Sequence, residues 1–425
     1  LSSAASDVYK RQEVKVVVET IGGTRFAYPY VKACLESGRS VCTSNKEMVA
    51  TYGAELLALA KAHGCAFLFE ASVGGGTPII TPMHQCLAAN VITEVEGIVN
   101  GTTNFMLTKM VRENLGFDEA LKIAQELGYA ETKDPGDDVD GRDACRKIAI
   151  LSSLVCGHQI YPQNIPTRGI RDITAGDVAA AEKLGCVIKL IAWMKRGEDG
   201  SVAAGVEPCL VPKANQLASV DDVFNAVLVK GDMLGDVVFY GKGAGKLPTA
   251  SAVVADVIDA LKEGVKIHDS LFWKPAEKPE GQLEDKNSYP WYIRVTGVAA
   301  ALLPSVAGAG HTVFEENGEA AYLIDKATAA DVAEITKKIE VLGGKVNQEL
   351  VAAINHHGNL AVGVSGSDAG TLIAEPLDPE LGRVGKVTHV NTDYIERLLD
   401  SEYIPVIATV AAGEDGGFFL SLIHI

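Results

Sequence analysis

Glu13–Glu19, EVKVVVE, is a β-branched run that stops at Thr20-Ile21-Gly22-Gly23. A helix-like segment follows over Tyr28–Ser37, then a second short apolar run, Ser40–Thr43, that ends at Ser44-Asn45-Lys46. Strand, helix, strand, helix at this spacing predicts βαβ units around a parallel sheet. Such sheets bind ligands at the carboxyl ends of their strands, where Gly22-Gly23 and Asn45-Lys46 both fall. Phe67–Glu70 predicts a further strand, followed by Ala71-Ser72-Val73-Gly74-Gly75-Gly76-Thr77-Pro78. A glycine triplet after a buried strand lets backbone amides or carbonyls approach a ligand closely. Taken alone it is equally a tight turn. Leu87–Gly97 then leads into Ile98-Val99-Asn100-Gly101-Thr102-Thr103-Asn104, a polar cluster in which Asn100 or Thr103 could cap the amphipathic helix that follows.

The stretch Leu127–Ile150, LGYAETKDPGDDVDGRDACRKIAI, breaks the apolar rhythm. It gathers Glu131, Asp134, Asp137, Asp138, Asp140 and Asp143 around Pro135, Gly136 and Gly141, then launches a helix. Asp143 and Lys147 are four apart and share one face of that helix. A carboxylate beside an ammonium holds a lysine protonated and aimed, as a proton donor requires. An isolated pair of this kind is ordinarily a solvated surface salt bridge. Its surroundings decide.

Further along, Pro275–Tyr289 is rich in Pro, Glu and Lys and predicts a linker. Trp291–Val295 and Ala320–Ile324 predict strands of a small domain, and Ala329–Ile339 an amphipathic helix.

Composition narrows the class. At 425 residues the chain can form two or three domains. A hydrophobic fraction of 47% with 22% charged residues is ordinary for a globular protein without membrane spans. The net charge of −17 disfavours nucleic acid and anionic membranes as partners. Eight cysteines lie scattered in apolar stretches without CxxC or Cys/His ligand spacing, so they predict buried free thiols in a reducing cytoplasm rather than zinc ligands or disulfides. There is no run of 18 apolar residues to span a membrane.

The strings TSNKEMVA (43–50), EASVGGGTP (70–78), GIVNGTTNFML (97–107), LGYAE…DACRK (127–147) and FYGKGAGKLPTASAVVADVI (239–258) occur in order. Together they resemble homoserine dehydrogenase over residues 13–265. The resemblance implies a Rossmann-like dinucleotide-binding domain (13–68 and 241–264) joined to an α+β catalytic and oligomerisation domain (69–240), an α/β architecture overall. It implies reversible reduction of aspartate 4-semialdehyde to homoserine with NADP or NAD, in threonine, methionine and isoleucine biosynthesis, by a cytoplasmic homo-oligomer. By the same resemblance Lys147 matches the proton-donor lysine, and Lys46 a lysine that contacts cofactor and substrate. Asp143 matches a substrate-orienting aspartate and Glu131 the carboxylate that receives the substrate's ammonium. Thr20, Gly22, Gly128 and Gly245 match cofactor-side positions, and Glu70, Val73, Gly75 and Thr77 a sodium site built mainly from backbone carbonyls. Hydride delivery to an aldehyde builds negative charge on oxygen, which a protonated lysine stabilises and then neutralises.

Two departures stand out. The segment from Glu131 to Lys147 is one residue longer than the family pattern, around Thr132-Lys133. No GxGxxG occurs in residues 1–60, so the first βα unit and its amide cradle for pyrophosphate are expected to be missing, leaving cofactor binding and activity weak. Residues 1–12 and the terminal SLIHI resemble translated sequencing-adapter read-through, which predicts a gene incomplete at both ends.

In this family residues 290–340 hold a small regulatory module, sometimes of the amino-acid-binding ACT type; this version lacks the glycine-rich signature, and a packing role fits equally. Residues 343–417 resemble the middle of acetylglutamate kinase, with Ser365-Gly366-Ser367-Asp368 in its glycine loop and Ser367 where lysine is expected. That kinase's phosphate loop and catalytic aspartate are absent, and phosphoryl transfer needs both. The alternatives to a dehydrogenase are therefore a kinase fusion or fragment, and a non-catalytic chimera.

Overall fold

The β-branched run forms β1 (Val16–Glu19), which pairs in parallel with β2 (Ser40–Thr43), itself parallel to β3 (Phe67–Leu68). This computed structural model describes residues 14–197, 200–262, 271–276, 285–296, 298–316, 318–342, 351, 354–356, 360–376, 384–408, 410–413 and 418–421. Residues 1–12, most of the SLIHI end, 277–284 and 343–350 lie outside them. Two units divide the chain, residues 1–285 and 286–425, and the boundary falls inside the stretch expected to be a linker.

In the first unit, α1 (Ala27–Glu36) and α2 (Lys46–Ala62) connect the parallel strands. Their apolar faces, Val31 and Leu35 on one and Met48, Val49, Leu56 and Leu57 on the other, are buried with Val41 and Phe67 of the sheet. The third strand is shorter than its sequence promises: it ends at Leu68, and Glu70–Ser72 turn as 3-10 helix.

The second sheet is antiparallel, ordered β6 (Val202–Pro212), β5 (Cys186–Arg196), β4 (Ile92–Ile98), β7 (Phe224–Gly231), β8 (Gly235–Lys242). Alternation along β7 sorts its two faces. Val227 and Val229 enter the main core, while Ala226 and Leu228 join a separate cluster with Ile98, Ile191 and Leu217. Helices α3 (Gly101–Glu113), α4 (Phe117–Glu126), α6 (Arg142–Cys156) and α7 (Ala175–Lys183), with the single turn α5 (Gly136–Val139), supply the main core's other side. The closing helix α8 (Lys246–Lys262) returns to pack against β1, β2 and the Glu70 turn. The central strand β4 therefore points its end at the loop where α3 and α6 begin.

The second unit opens with an antiparallel sheet ordered β10 (Gly310–Glu316), β11 (Glu319–Ala327), β9 (Tyr289–Thr296), accompanied by α9 (Leu303–Ala307) and α10 (Ala329–Leu342). Strand β10, which the sequence pattern does not mark, pairs with β11 on the side away from β9, with a bulge at Thr312/Phe314, so β11 is the central strand. Beyond it, β12 (Ala361–Ser365) pairs in parallel with β15 (Ile404–Ala408), and α11 (Thr392–Asp400) precedes β15. Four short strands, β13 (Leu372–Pro376), β14 (Val384–Val390), β17 (Phe418–Ser421) and β16 (Val410–Gly413), close a ring.

All eight cysteines are free, but the expectation that they are buried holds for only part of the set. Cys34, Cys42, Cys65 and Cys145 are buried, Cys156, Cys186 and Cys209 half-buried, and Cys86 exposed in the turn after the glycine loop.

Candidate active site

Strand β4 delivers Val99 and Asn100 to the first turn of α3. The Asn100 side-chain oxygen accepts the Thr103 N–H at 2.8 Å, which makes it the helix cap. Its amide nitrogen is then free to donate elsewhere, and reaches Asp143 Oδ2 at 2.8 Å and Asp138 Oδ1 at 2.7 Å. One side chain thus starts a helix and braces two carboxylates.

Asp143 sits in the first turn of α6, where the helix dipole favours an anion. The N-cap before it is Gly141 at φ +80°, packed against Thr167 and Val206. Lys147 Nζ donates to Asp143 Oδ2 at 2.7 Å and to the Val99 carbonyl at 2.6 Å. Lys46, the first residue of α2, brings its ammonium to Asp143 Oδ1 at 2.9 Å. The helix cap Asn45, whose side chain accepts the Met48 N–H at 3.1 Å, fixes where that lysine begins.

The pair is not a solvated surface bridge: Asp143 is 5% exposed and Lys147 9%. Burial works to raise the Asp143 carboxyl, but the ammoniums of Lys147 and Lys46 and the Asn100 N–H hold it well below the usual carboxylate range. Burial works against the Lys46 ammonium, and Asp143 more than restores it, so it lies above an ordinary lysine. An ammonium has three donors. Two of those on Lys147 are taken, leaving one for an incoming oxygen.

Glu131 lies apart from this network. It is exposed; among the described residues its carboxylate makes no hydrogen bond, and its backbone carbonyl accepts the Gln125 side-chain N–H at 3.0 Å. Asp138 is the acid that the loop folds inward, held by Asn100 and pushed up by burial. Sequence reasoning missed it because its position depends on the one-turn helix α5, too short to leave a periodic signal. The other acids are loop chemistry: Asp134 accepts the Gly136 N–H, Asp137 pairs with Arg146, and Asp140 with Arg142 and Arg171.

Thr20 and Gly22 follow β1, both exposed, with Gly22 at φ +77°. Glu19 Oε1 accepts the Ile21 N–H at 2.6 Å and the Gly22 N–H at 3.1 Å, while Thr43 donates its hydroxyl to Oε2 at 2.6 Å. Asn45 closes the circuit by donating its side-chain N–H to the Gly23 carbonyl at 2.7 Å. The loop after β1 is thereby tied to the start of α2 and to Lys46. Because Glu19 occupies the Gly22 amide, that N–H is not available to grip a phosphate. Among the described residues no atom lies within 4 Å of a Cβ built on Gly22 or Gly23, so this glycine edge beside Lys46 is open. Gly128 ends α4 at φ +75° in open space, and Gly245 precedes α8 at φ +119°.

The Glu70–Thr77 loop faces the Lys242–Gly245 loop. Gly76 donates its N–H to the Lys242 carbonyl at 3.0 Å, and a Cβ on Gly75 would sit 2.3 Å from the Gly243 carbonyl oxygen. The Glu70 carboxylate is engaged within the protein, accepting N–H groups from Ile79 at 2.6 Å, Ile80 at 3.0 Å and Thr81 at 2.6 Å. Among the described residues the Thr77 hydroxyl is buried without a hydrogen-bond partner. Among the described residues no cluster of three or more His, Cys, Asp or Glu could hold a metal.

Comparison with known proteins agrees with this layout. The family model for the homoserine dehydrogenase NAD binding domain matches residues 1–70, including the residues set aside as adapter-like, and that for homoserine dehydrogenase matches 78–258. The amino acid kinase family model matches 299–423, taking in most of the small module as well as the kinase-like stretch. The homoserine dehydrogenase of Bacillus subtilis is 44% identical over 263 residues, 62% of this chain and 60% of that protein. The chain thus spans about 60% of the length of that relative. The Corynebacterium glutamicum enzyme is 36% identical over 84% of this chain and 82% of its own length. The crystal structure of the homoserine dehydrogenase from Thiobacillus denitrificans superposes with a TM-score of 0.71 at 37% identity, covering 80% of this chain and 81% of that one. A hyperthermophilic archaeal homoserine dehydrogenase in complex with NADPH superposes with a TM-score of 0.53 at 32% identity, over 61% and 75%. Identity of this order across both sheets and the helices that carry Lys46, Asn100, Asp143 and Lys147 places the chain in the homoserine dehydrogenase family.

Proposed function

We propose that the first unit is built to interconvert L-homoserine and L-aspartate 4-semialdehyde with NADP or NAD. The observation that carries this reading is the Lys46–Asp143–Lys147 group at the end of β4, with Asp143 and Lys147 buried and Lys46 half-buried beside the open Gly22-Gly23 edge. The bound nicotinamide would supply or accept the hydride. Lys147 keeps one donor for the substrate oxygen and neutralises the charge that develops on it. Asp143 pairs with both lysines and aims them. Lys46 bridges the cofactor edge and the substrate. Glu131 is the carboxylate that the family resemblance assigns to the substrate's ammonium, although it lies apart from the network, and Asp138 is the acid that the hydrogen-bond network already holds beside Asp143. Glu70, Val73, Gly75 and Thr77 would hold a sodium ion through carbonyls, supported by the partnerless Thr77 hydroxyl.

No GxGxxG occurs in residues 1–60, and from that motif's absence we expect weak cofactor binding and slow turnover. The test is homoserine-dependent NADPH formation by this chain at saturating substrate. A slow rate with a strongly raised KM for cofactor fits the reading; robust turnover at micromolar cofactor would show that the cradle is dispensable. A homo-oligomer is supported by β8, an edge strand with Val238 and Tyr240 exposed. The second unit resembles acetylglutamate kinase from about residue 343, and its Ser365–Asp368 loop is braced by Asp368 accepting the Ser365 N–H at 2.9 Å. With Ser367 in place of lysine, that loop carries no positive charge to bind a phosphate, so the dehydrogenase reading is favoured.

A further inference from the structure

Gln159 lies just beyond α6 and is 1% exposed. Its side-chain oxygen accepts the Ala54 N–H at 3.0 Å and the Trp273 indole N–H at 2.9 Å. Its nitrogen donates to the Ala50 carbonyl at 2.8 Å and the Ile160 carbonyl at 3.2 Å. Ala50 O and Ala54 N are the two groups that an undisturbed helix joins to each other. The carboxamide therefore reaches into the ladder of α2 from outside, in the turn after Lys46, and all four of its hydrogen-bonding positions are filled.

Trp273 locks this arrangement. It is fully buried, its ring lies where a Cβ on Gly53 of α2 would be 2.5 Å away, and it meets Phe69 edge-on at 5.5 Å. Its own segment is held by Gln159 donating its backbone N–H to the Lys274 carbonyl at 2.8 Å, and by Lys274 donating to Gly157 at 2.9 Å. A buried amide costs free energy unless every polar atom is satisfied, and a leucine or methionine would fill the same space. What an apolar side chain would not fix is the slide and rotation of α2 against the end of α6. Those two degrees of freedom set the distance from Lys46 on one helix to Asp143 on the other.

We propose that Gln159, locked by Trp273, is a positioning residue that holds α2 so that Lys46 reaches Asp143. The proposal rests on the reading of Lys46, Asp143 and Lys147 as one working group, and its test does not require turnover. The measurement is competitive amine labelling at mildly alkaline pH, with the Lys46 signal taken relative to Lys61 at the far end of the same helix. Gln159→Met keeps the volume and removes the amide; Trp273→Phe keeps the ring and removes the donor. Lys46 labelling should rise several-fold in Gln159→Met and by less in Trp273→Phe, with Asp143→Asn giving the upper limit. A wild-type labelling ratio in both variants, alongside a lowered Tm, would overturn the proposal and leave the network a packing device. If Asp143→Asn itself left Lys46 unchanged, the ion pair would be the failed element, and the two failures are thereby told apart.

Discussion

Asn100 hands its side-chain oxygen to the α3 backbone and its side-chain N–H to Asp143, 2.8 Å away. Helix nucleation and the charge state of the site are thereby coupled through one amide. Asn100→Ala removes the cap, at a cost of about 1 kcal/mol in stability. It also removes one of the groups that keep the Asp143 carboxyl low. Chemical denaturation and kcat measured on the same variant should show a modest stability loss beside a disproportionate loss of rate. Asn100→Asp would restore the cap but set a third carboxylate beside Asp138 and Asp143, and should be the less active of the two.

Asp143→Asn leaves the buried Lys147 ammonium with a neutral partner. Removing one member of a buried pair costs about 3–5 kcal/mol in favourable cases, and Lys147 retains the Val99 carbonyl, so the lower end is expected. The pH dependence carries a second signature. A folded value depressed below the unfolded one, about 4 for aspartate, gives stability that is present above that pH and lost as pH falls through the folded value. Acid unfolding of Asp143→Asn should accordingly be less steep below pH 4 than that of the parent.

The chemistry-bearing residues were legible where local pattern determines position, and not elsewhere. Asp143 and Lys147 are four apart on one helix, so their pairing follows from helix geometry alone, and Lys46 from its place after a strand. Asp138 was hidden because α5 is a single turn, and Gln159 because its partners Ala50 and Ala54 are apolar residues with no side-chain signal. The parallel strands β1 and β2 emerged within a few residues of their expected spans. Strand β10 did not, since His311 and Thr312 break the apolar alternation that would have marked it.

Asp256 on α8 makes the opposite pH prediction. Its carboxylate accepts the Glu70 N–H at 3.0 Å, and burial, with Glu70 nearby, pushes its carboxyl up to about 8. The folded chain then holds a proton that the unfolded chain has released, so stability falls as pH rises from about 4 through the folded value. Asp256→Asn keeps an acceptor for Glu70 and should flatten that decline. Thermal melts of both proteins across this range, at fixed ionic strength, check it.

Glu70→Ala strands the amides of Ile79, Ile80 and Thr81. Hydrogen bonds to a charged group contribute about 1.5–3 kcal/mol each when isolated, and bonds sharing one carboxylate are not additive, so a loss on the order of 3 kcal/mol is expected. The loss should be the same in sodium and in choline buffers if the carboxylate is structural. A sodium-dependent loss would make it an ion ligand instead.

The central claim is that Lys147 donates the proton. Its most direct test is the kcat of Lys147→Ala against that of the parent chain in the reduction direction, with aspartate 4-semialdehyde and NADPH saturating. General-acid loss predicts a fall of about 10²–10⁴-fold with cofactor binding intact. An unchanged kcat would contradict the account.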